Sequence, residues 1–363
     1  MFLNDILKVP LLLIGLIFAF NAVLGGIIQI VAGHLGDKYG FKRIILTFMS
    51  LYFLTLFSLF ISAIAFPIPL LFIGLFVLNQ AVGSMMMPSL NALLSLSSDV
   101  PLAGFSYFRV AANLGWAFGP AMAGIVATSL GYSYIYLIAA LSTIVAFPLL
   151  LLLKDKKNES KTLEKFSFRK VDKRLYLFGI AITFLFVVVS QFSVTLSIYA
   201  NHFVGLGTTA IGLIYFVNGT AVAAFQLPIY RLVNKIGLWN GMILGSIFYI
   251  IGYFSMAFDH TLYQFMFSML VVTMGENAVT PTGNAMVSKI AAGRSVGTHM
   301  GVYNFFLSMG RGMGPSYGTF LLSYLNVPIE IWGLAVLPAG VAIFSFLTQK
   351  QKNSNEVPIT TDG

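Results

Sequence analysis

Gly33-His34-Leu35-Gly36-Asp37-Lys38-Tyr39-Gly40-Phe41-Lys42-Arg43 is the stretch on which the reading of this chain turns. It joins two long apolar runs, residues 10–34 and 44–66. Glycines there allow a tight turn and a close approach between helices. An aspartate can face the positive N-terminus of a neighbouring helix, and Lys42 and Arg43 can anchor at lipid phosphates. A basic turn between two segments that are each long enough to cross a bilayer marks an integral membrane protein.

The rest of the chain agrees. Of 363 residues, 58% are apolar and only 9% are charged, against about 25% charged in soluble domains. That balance excludes a soluble enzyme. The chain has no cysteine, which excludes disulfides, thiolate metal sites, iron–sulfur clusters and a cysteine nucleophile. Eleven apolar runs are predicted to span, at 10–34, 44–66, 69–97, 103–129, 132–153, 174–200, 208–233, 238–258, 262–289, 298–323 and 328–348. The first run is too long for the core of a signal peptide and reads as a retained span. The fold class is therefore an all-α integral membrane protein.

Positive charge stays on the cytoplasmic side during insertion. Alternate loops collect 19 of the 21 lysines and arginines, with Arg109 counted among them. The central linker and the C-terminus are thereby expected inside and residue 1 outside. The net charge of +9 reads as orientation beside anionic lipid and not as a nucleic-acid surface.

An internal repeat organises the spans. Ile14-Gly15-Leu16-Ile17 with Asn21 recurs as Ile211-Gly212-Leu213-Ile214 with Asn218, 197 residues later. Pro88, Asn91, Ala92 and Ser95 recur as Pro281, Asn284, Ala285 and Ser288, offset 193. Gly115, Gly119 and Pro120 recur as Gly310, Gly314 and Pro315, offset 195. Two pseudo-symmetric helical bundles follow: residues 1–153 with five spans and 174–349 with six, joined by a basic cytoplasmic linker at 154–173 and followed by a tail at 350–363. The first bundle is expected to lack the counterpart of span 174–200, through truncation, a late start codon or gene decay.

The stretch 33–43 resembles the signature loop between the second and third helices of the major facilitator superfamily. Arg231-Leu232-Val233-Asn234-Lys235-Ile236-Gly237 is a second, weaker copy with Asn234 in place of the aspartate. Asn113-Leu114-Gly115-Trp116-Ala117-Phe118-Gly119-Pro120, continuing to Gly124, is similar to the family's antiporter signature without its second terminal glycine. Asn79 stands where the family usually carries an arginine. The resemblance implies that Gly33, Asp37, Gly40, Lys42 and Arg43 form a gating loop, with Asp37 latching near the start of the helix at Gly297. It implies bending motifs at Gly115, Gly119, Pro120 and at Gly310, Gly314, Pro315. Because the first and fourth helices of each bundle line the path in this superfamily, it favours Asn79, Gln80, Gln191, Glu276 and Asn277 as cavity residues.

Two ionisable residues lie at the middle of predicted spans, Glu276 and Arg311. Burying such a group costs about 3 kcal/mol or more, so they are expected to pair across adjacent helices or to carry protons, with Glu276 as the carrier. Asn21, Asn218, Gln226 and Asn304 are further polar residues within spans. His34, His202, His260 and His299 make no metal-ligand spacing. The expected activity is alternating-access secondary transport, proton-coupled efflux of a small amphipathic or drug-like solute. The alternatives are uptake or facilitated diffusion of a sugar or metabolite, or a truncated remnant that does not transport. No metalloprotease, phosphate-loop or nucleophile-elbow motif points to an enzyme. The expected energy source is the proton gradient without a cofactor, and the expected partners are a small-molecule substrate and the bilayer, with the chain a monomer in the cell membrane and no nucleic acid bound.

Overall fold

The computed structural model describes Leu7 and residues 11–152, 171–292 and 294–355. Most of the linker at 154–173 and the end of the tail lie outside the described residues, as do the side chains of Trp116, Ala117, Pro120 and Gly124. Twelve α-helices occur among the described residues. They are α1 (Leu11–Tyr39), α2 (Phe41–Ala65), α3 (Pro69–Ser97), α4 (Pro101–Ser129), α5 (Ser133–Leu152), α6 (Lys173–Val189), α7 (Thr195–His202), α8 (Thr208–Ile236), α9 (Leu238–Ser255), α10 (Leu262–Ile290), α11 (Val296–Tyr324) and α12 (Pro328–Asn355). Seven segments among the described residues are long and apolar enough to cross a membrane, with α6 and α7 counted as one continuous segment, Lys173–His202.

Helix starts and turns follow local chemistry. Proline opens α3, α4 and α12, where its fixed φ suits the first turn and its missing N–H costs nothing. Gly40 between α1 and α2 has φ 96°, and Gly237 between α8 and α9 has φ 86°. Only glycine adopts that left-handed conformation without strain, and the two residues occupy equivalent places in the repeat.

The repeat is also visible in helix length. α1, α3 and α4 each contain 29 residues, as do α8, α10 and α11, which start 197, 193 and 195 residues later. At 1.5 Å per residue each is about 43 Å long, enough for a hydrocarbon core of about 30 Å with some tilt.

The span read as 174–200 is not one regular helix. It passes from α6 through a 3₁₀ turn, Ser190–Phe192, into α7. Three β-branched valines, Val187–Val189, lead into Ser190, a sequence poor in helix propensity. Gln191 holds the irregular backbone: its Nε2 donates to the carbonyl oxygens of Val187 (2.7 Å) and Gly314 (3.1 Å), and its Oε1 accepts from Thr195 Oγ1 (2.6 Å).

The helices group into two compact units. One comprises Met1–Gly104, Gly115–Val171 and Val287–Met309; the other comprises Phe105–Leu114, Asp172–Met286 and Gly310–Gly363. In the first, α2 packs on α3 and α5, and α1 packs on α3. Its core includes Leu59 and Phe72, with the ring of Tyr136 edge-on to Phe72 at 5.5 Å. In the second, α12 packs on α6 and α9, around Trp332, which stacks on Tyr253 at 6.0 Å and meets Tyr199 edge-on at 5.3 Å. The α2–α5 and α9–α12 pairings are repeat equivalents. Large apolar side chains such as Leu70, Val145, Leu152 and Phe344 stand exposed, which suits a surface facing lipid.

Candidate functional site

Within the second unit a charged cluster forms around Glu276 on α10. Glu276 Oε1 lies 2.6 Å from Nη2 of Arg109, which comes from α4. Glu276 Oε2 accepts from Asn218 Nδ2 of α8 at 2.9 Å. The same amide nitrogen reaches Thr273 Oγ1 at 2.9 Å, one turn before Glu276 on α10, and Thr273 donates in turn to the carbonyl oxygen of Met269. Three helices therefore converge on one carboxylate.

Two expectations are corrected here. Arg109 is not a loop charge: it sits eight residues inside α4, and its side chain is only 10% exposed. The ion-pair partner of Glu276 is Arg109 and not Arg311. The Arg311 guanidinium lies over the ring of Phe186, 5.2 Å from its centroid, and acts on Glu276 as a second, longer-range positive charge. One acid thus sits among two cations. In a low-dielectric surrounding that favours the charged pair over either ion alone.

The cluster is incompletely satisfied. Arg109 Nε is buried and has no hydrogen-bond partner among the described residues. The side chain of Glu276 keeps 28% of its surface accessible. A buried guanidinium donor without an acceptor among the described residues leaves room for water or a ligand atom.

Sequence reasoning passed over Arg109 as part of a site, yet a signal was present. The 195-residue offset pairs Arg109 with Asn304, a residue already read as lying inside a span. The same arithmetic shows how asymmetric the site is. Glu276 corresponds to Gly83 in the first repeat, and Asn218 corresponds to Asn21. Each copy of the repeat carries one of the two charges, Arg109 in the first and Glu276 in the second, and neither has an ionisable counterpart in the other copy.

The remaining cavity candidates divide. Asn79 is buried and donates to Thr55 Oγ1 at 2.8 Å, tying α3 to α2. Gln80 is exposed. Gln191 is fully engaged in the α6–α7 irregularity described above. Asn277 is fully buried, and its side-chain amide has no partner among the described residues, while its carbonyl oxygen accepts from Gln226 Nε2 at 3.2 Å.

The loop 33–43 meets the start of α11 within the first unit. Asp37 Oδ1 accepts from the Gly297 N–H at 2.8 Å, and Oδ2 accepts from the Thr298 N–H at 2.7 Å and from Thr298 Oγ1 at 2.6 Å. These are first-turn amides, which lack partners inside their own helix and sit at the positive end of its dipole. Gly33 and Gly297 make the approach possible, because a side chain at either would strike the carbonyl oxygen of the other. Lys42 Nζ donates to the Leu151 carbonyl oxygen at 2.6 Å, and Arg43 is exposed. Ser95 and Ser288, equivalent residues of the repeat, hydrogen-bond to one another.

The two glycine–proline motifs lie in unlike environments. A Cβ at Gly310 would come 2.5 Å from the Thr183 carbonyl oxygen, and one at Gly314 would strike Ser190, so both glycines are needed where α11 crosses α6. Around Gly115 and Gly119 nothing lies within 4 Å among the described residues. Pro315 lies inside the continuous helix α11, while the side chain of Pro120 is outside the described set.

The family model of the Major Facilitator Superfamily matches residues 1–258 and 179–361. The multi-drug resistance efflux pump PmrA homolog of Lactococcus lactis subsp. lactis (strain IL1403) is 24% identical over 349 residues, which cover 92% of this chain and 84% of that protein. The quinolone resistance protein NorA of Staphylococcus aureus (strain MSSA476) is 25% identical over 347 residues, covering 93% and 87%. Among solved structures, the human organic anion transporter MFSD10 (TETRAN) superposes with a TM-score of 0.76 at 15% identity, covering 92% of this chain and 83% of that one.

Proposed function

The chain belongs to the Major Facilitator Superfamily, and on that premise we propose that it exports a small amphipathic or drug-like solute in exchange for protons. It is a multi-pass membrane transporter of that superfamily. The efflux direction is supported by the likeness to the efflux pump PmrA homolog and to the quinolone resistance protein.

The observation that carries the coupling is the Arg109–Glu276 pair. A proton arriving at the accessible Glu276 carboxylate removes its charge and with it the attraction to Arg109. The guanidinium is then released to another acceptor, and Asn218 loses a charged partner. Bound solute and proton thereby compete for one cluster, which is the thermodynamic requirement for exchange. Asp37 serves as the latch that holds one face closed through the start of α11. The basic linker and the C-terminus lie in the cytoplasm, and the working unit is a monomer that needs no cofactor beyond the gradient.

The test is transport in proteoliposomes with an imposed pH gradient, using a panel of fluoroquinolones and lipophilic dyes. Wild-type protein is expected to accumulate at least one of them uphill. Glu276→Gln, which mimics the protonated carboxyl, is expected to bind it with an affinity that no longer varies with pH and to lose gradient-driven accumulation. Undiminished uphill transport by Glu276→Gln overturns the coupling role.

A further inference from the structure

On the first unit a crevice of about 370 Å³ runs between α2 and α5, within the range of about 300–1,000 Å³ typical of small-molecule sites. Met49, Phe53 and Leu54 form one wall and Ile144, Phe147 and Pro148 the other. Its two hydroxyls are turned back into their own helices: Ser50 Oγ donates to the Leu46 carbonyl oxygen and Thr143 Oγ1 to that of Ala140. What the crevice offers is hydrocarbon.

One end of it is basic. Lys42 precedes Met49 by seven residues and Phe53 by eleven, two and three helical turns, so it shares their face of α2. Arg43 stands in the same relation to Ser50 and Leu54. On α5, Leu151 follows Ile144 by seven residues and Phe147 by four, and its carbonyl oxygen is the acceptor for Lys42 Nζ. Lys42 therefore bridges the two walls at the mouth of the crevice, with the exposed Arg43 beside it. Among the described residues, Asp37 is the acid close to Lys42 and Arg43 in the chain, and it is committed to Gly297 and Thr298.

We propose that this crevice is a binding site for an anionic phospholipid, with one acyl chain between α2 and α5 and the phosphate at Lys42 and Arg43. Charge and shape carry the assignment together. An apolar slot that opens to a bilayer surface beside two cations fits a molecule with a hydrocarbon tail and an anionic head. A zwitterionic lipid would bring its own cation to the same basic end. Since Lys42 and Arg43 belong to the loop that meets α11 through Asp37, lipid at this site is placed to influence that junction.

The site is tested with a reporter in the wall. Leu54→Trp protein is reconstituted in phosphatidylcholine vesicles containing small fractions of brominated phosphatidylglycerol or brominated phosphatidylcholine, and the parent protein corrects for its own tryptophans. Half-maximal quenching is expected at a phosphatidylglycerol fraction about tenfold below that for phosphatidylcholine. The variant that also carries Lys42→Gln and Arg43→Gln is expected to lose the preference. Equal quenching by the two lipids overturns the proposal, as does a preference that survives loss of both cations. Absence of quenching by either lipid also overturns it and assigns the face to a second copy of the chain. Native mass spectrometry of the unaltered protein, extracted from a mixed-lipid membrane, gives a readout that depends on no substitution: phosphatidylglycerol is expected to be retained over phosphatidylcholine, and equal retention contradicts the site.

Discussion

At the scale of the residue, Arg109 and Glu276 depend on each other. Taking two ions out of water costs several kcal/mol each, and only their mutual attraction and the surrounding hydrogen bonds offset it. Removing one partner leaves the other buried and uncompensated. Arg109→Met is therefore expected to destabilise the protein by about 3–5 kcal/mol. Adding Glu276→Gln in the same chain is expected to recover most of that loss, because no lone charge then remains. Thermal unfolding in detergent of the two single variants and the double variant measures the coupling, and additive losses would show that the pair is not one unit. Glu276 was legible in the sequence because an acid in an apolar run has few innocent explanations. Its partner was not, since a cation near the start of a span looks the same whether it faces the interface or turns inward. Distance along the chain made Arg311 the natural choice, whereas the folded helices bring Arg109 to the carboxylate.

At the scale of the element, glycines decide which helices touch. Gly310 and Gly314 let α11 lie against α6, and a methyl group there must displace backbone. Gly310→Ala is expected to cost about 1–3 kcal/mol through overpacking. Gly115→Ala is expected to be neutral or stabilising by up to about 1 kcal/mol, since alanine is the better helix former and the added methyl meets no described neighbour. Denaturation midpoints of the two variants check the contrast, and equal losses would contradict it. The motif itself was plain in the sequence, but its two environments were not, because spacing records a smooth face without recording what lies on it. The break between α6 and α7 was hidden for a related reason. No glycine or proline marks it, and a buried glutamine supplies the bonds that the helix gives up. Asp37 was more readable: the resemblance of its loop to the superfamily signature implied a contact near the helix start at Gly297, and hydrogen bonds join the two.

At the scale of the whole molecule, a repeated scaffold carries an unrepeated site. Helix lengths, the two positive-φ glycines and the contact between Ser95 and Ser288 keep the symmetry, and periodic apolar runs with matching offsets made that scaffold legible. The chemistry breaks the symmetry, with Glu276 and Arg109 answered by Gly83 and Asn304, so the repeat places Arg109 inside a span without announcing the charged pair. A machine that exchanges protons for solute through one carboxylate must move protons whenever it moves solute. The direct measurement is proton flux in proteoliposomes loaded with a pH-sensitive dye and given no initial pH gradient, started by adding a transported quinolone or dye outside. Wild-type protein is expected to show a solute-dependent proton movement opposite to the solute, and Glu276→Gln none. Solute entry without proton movement in wild-type protein would contradict proton exchange.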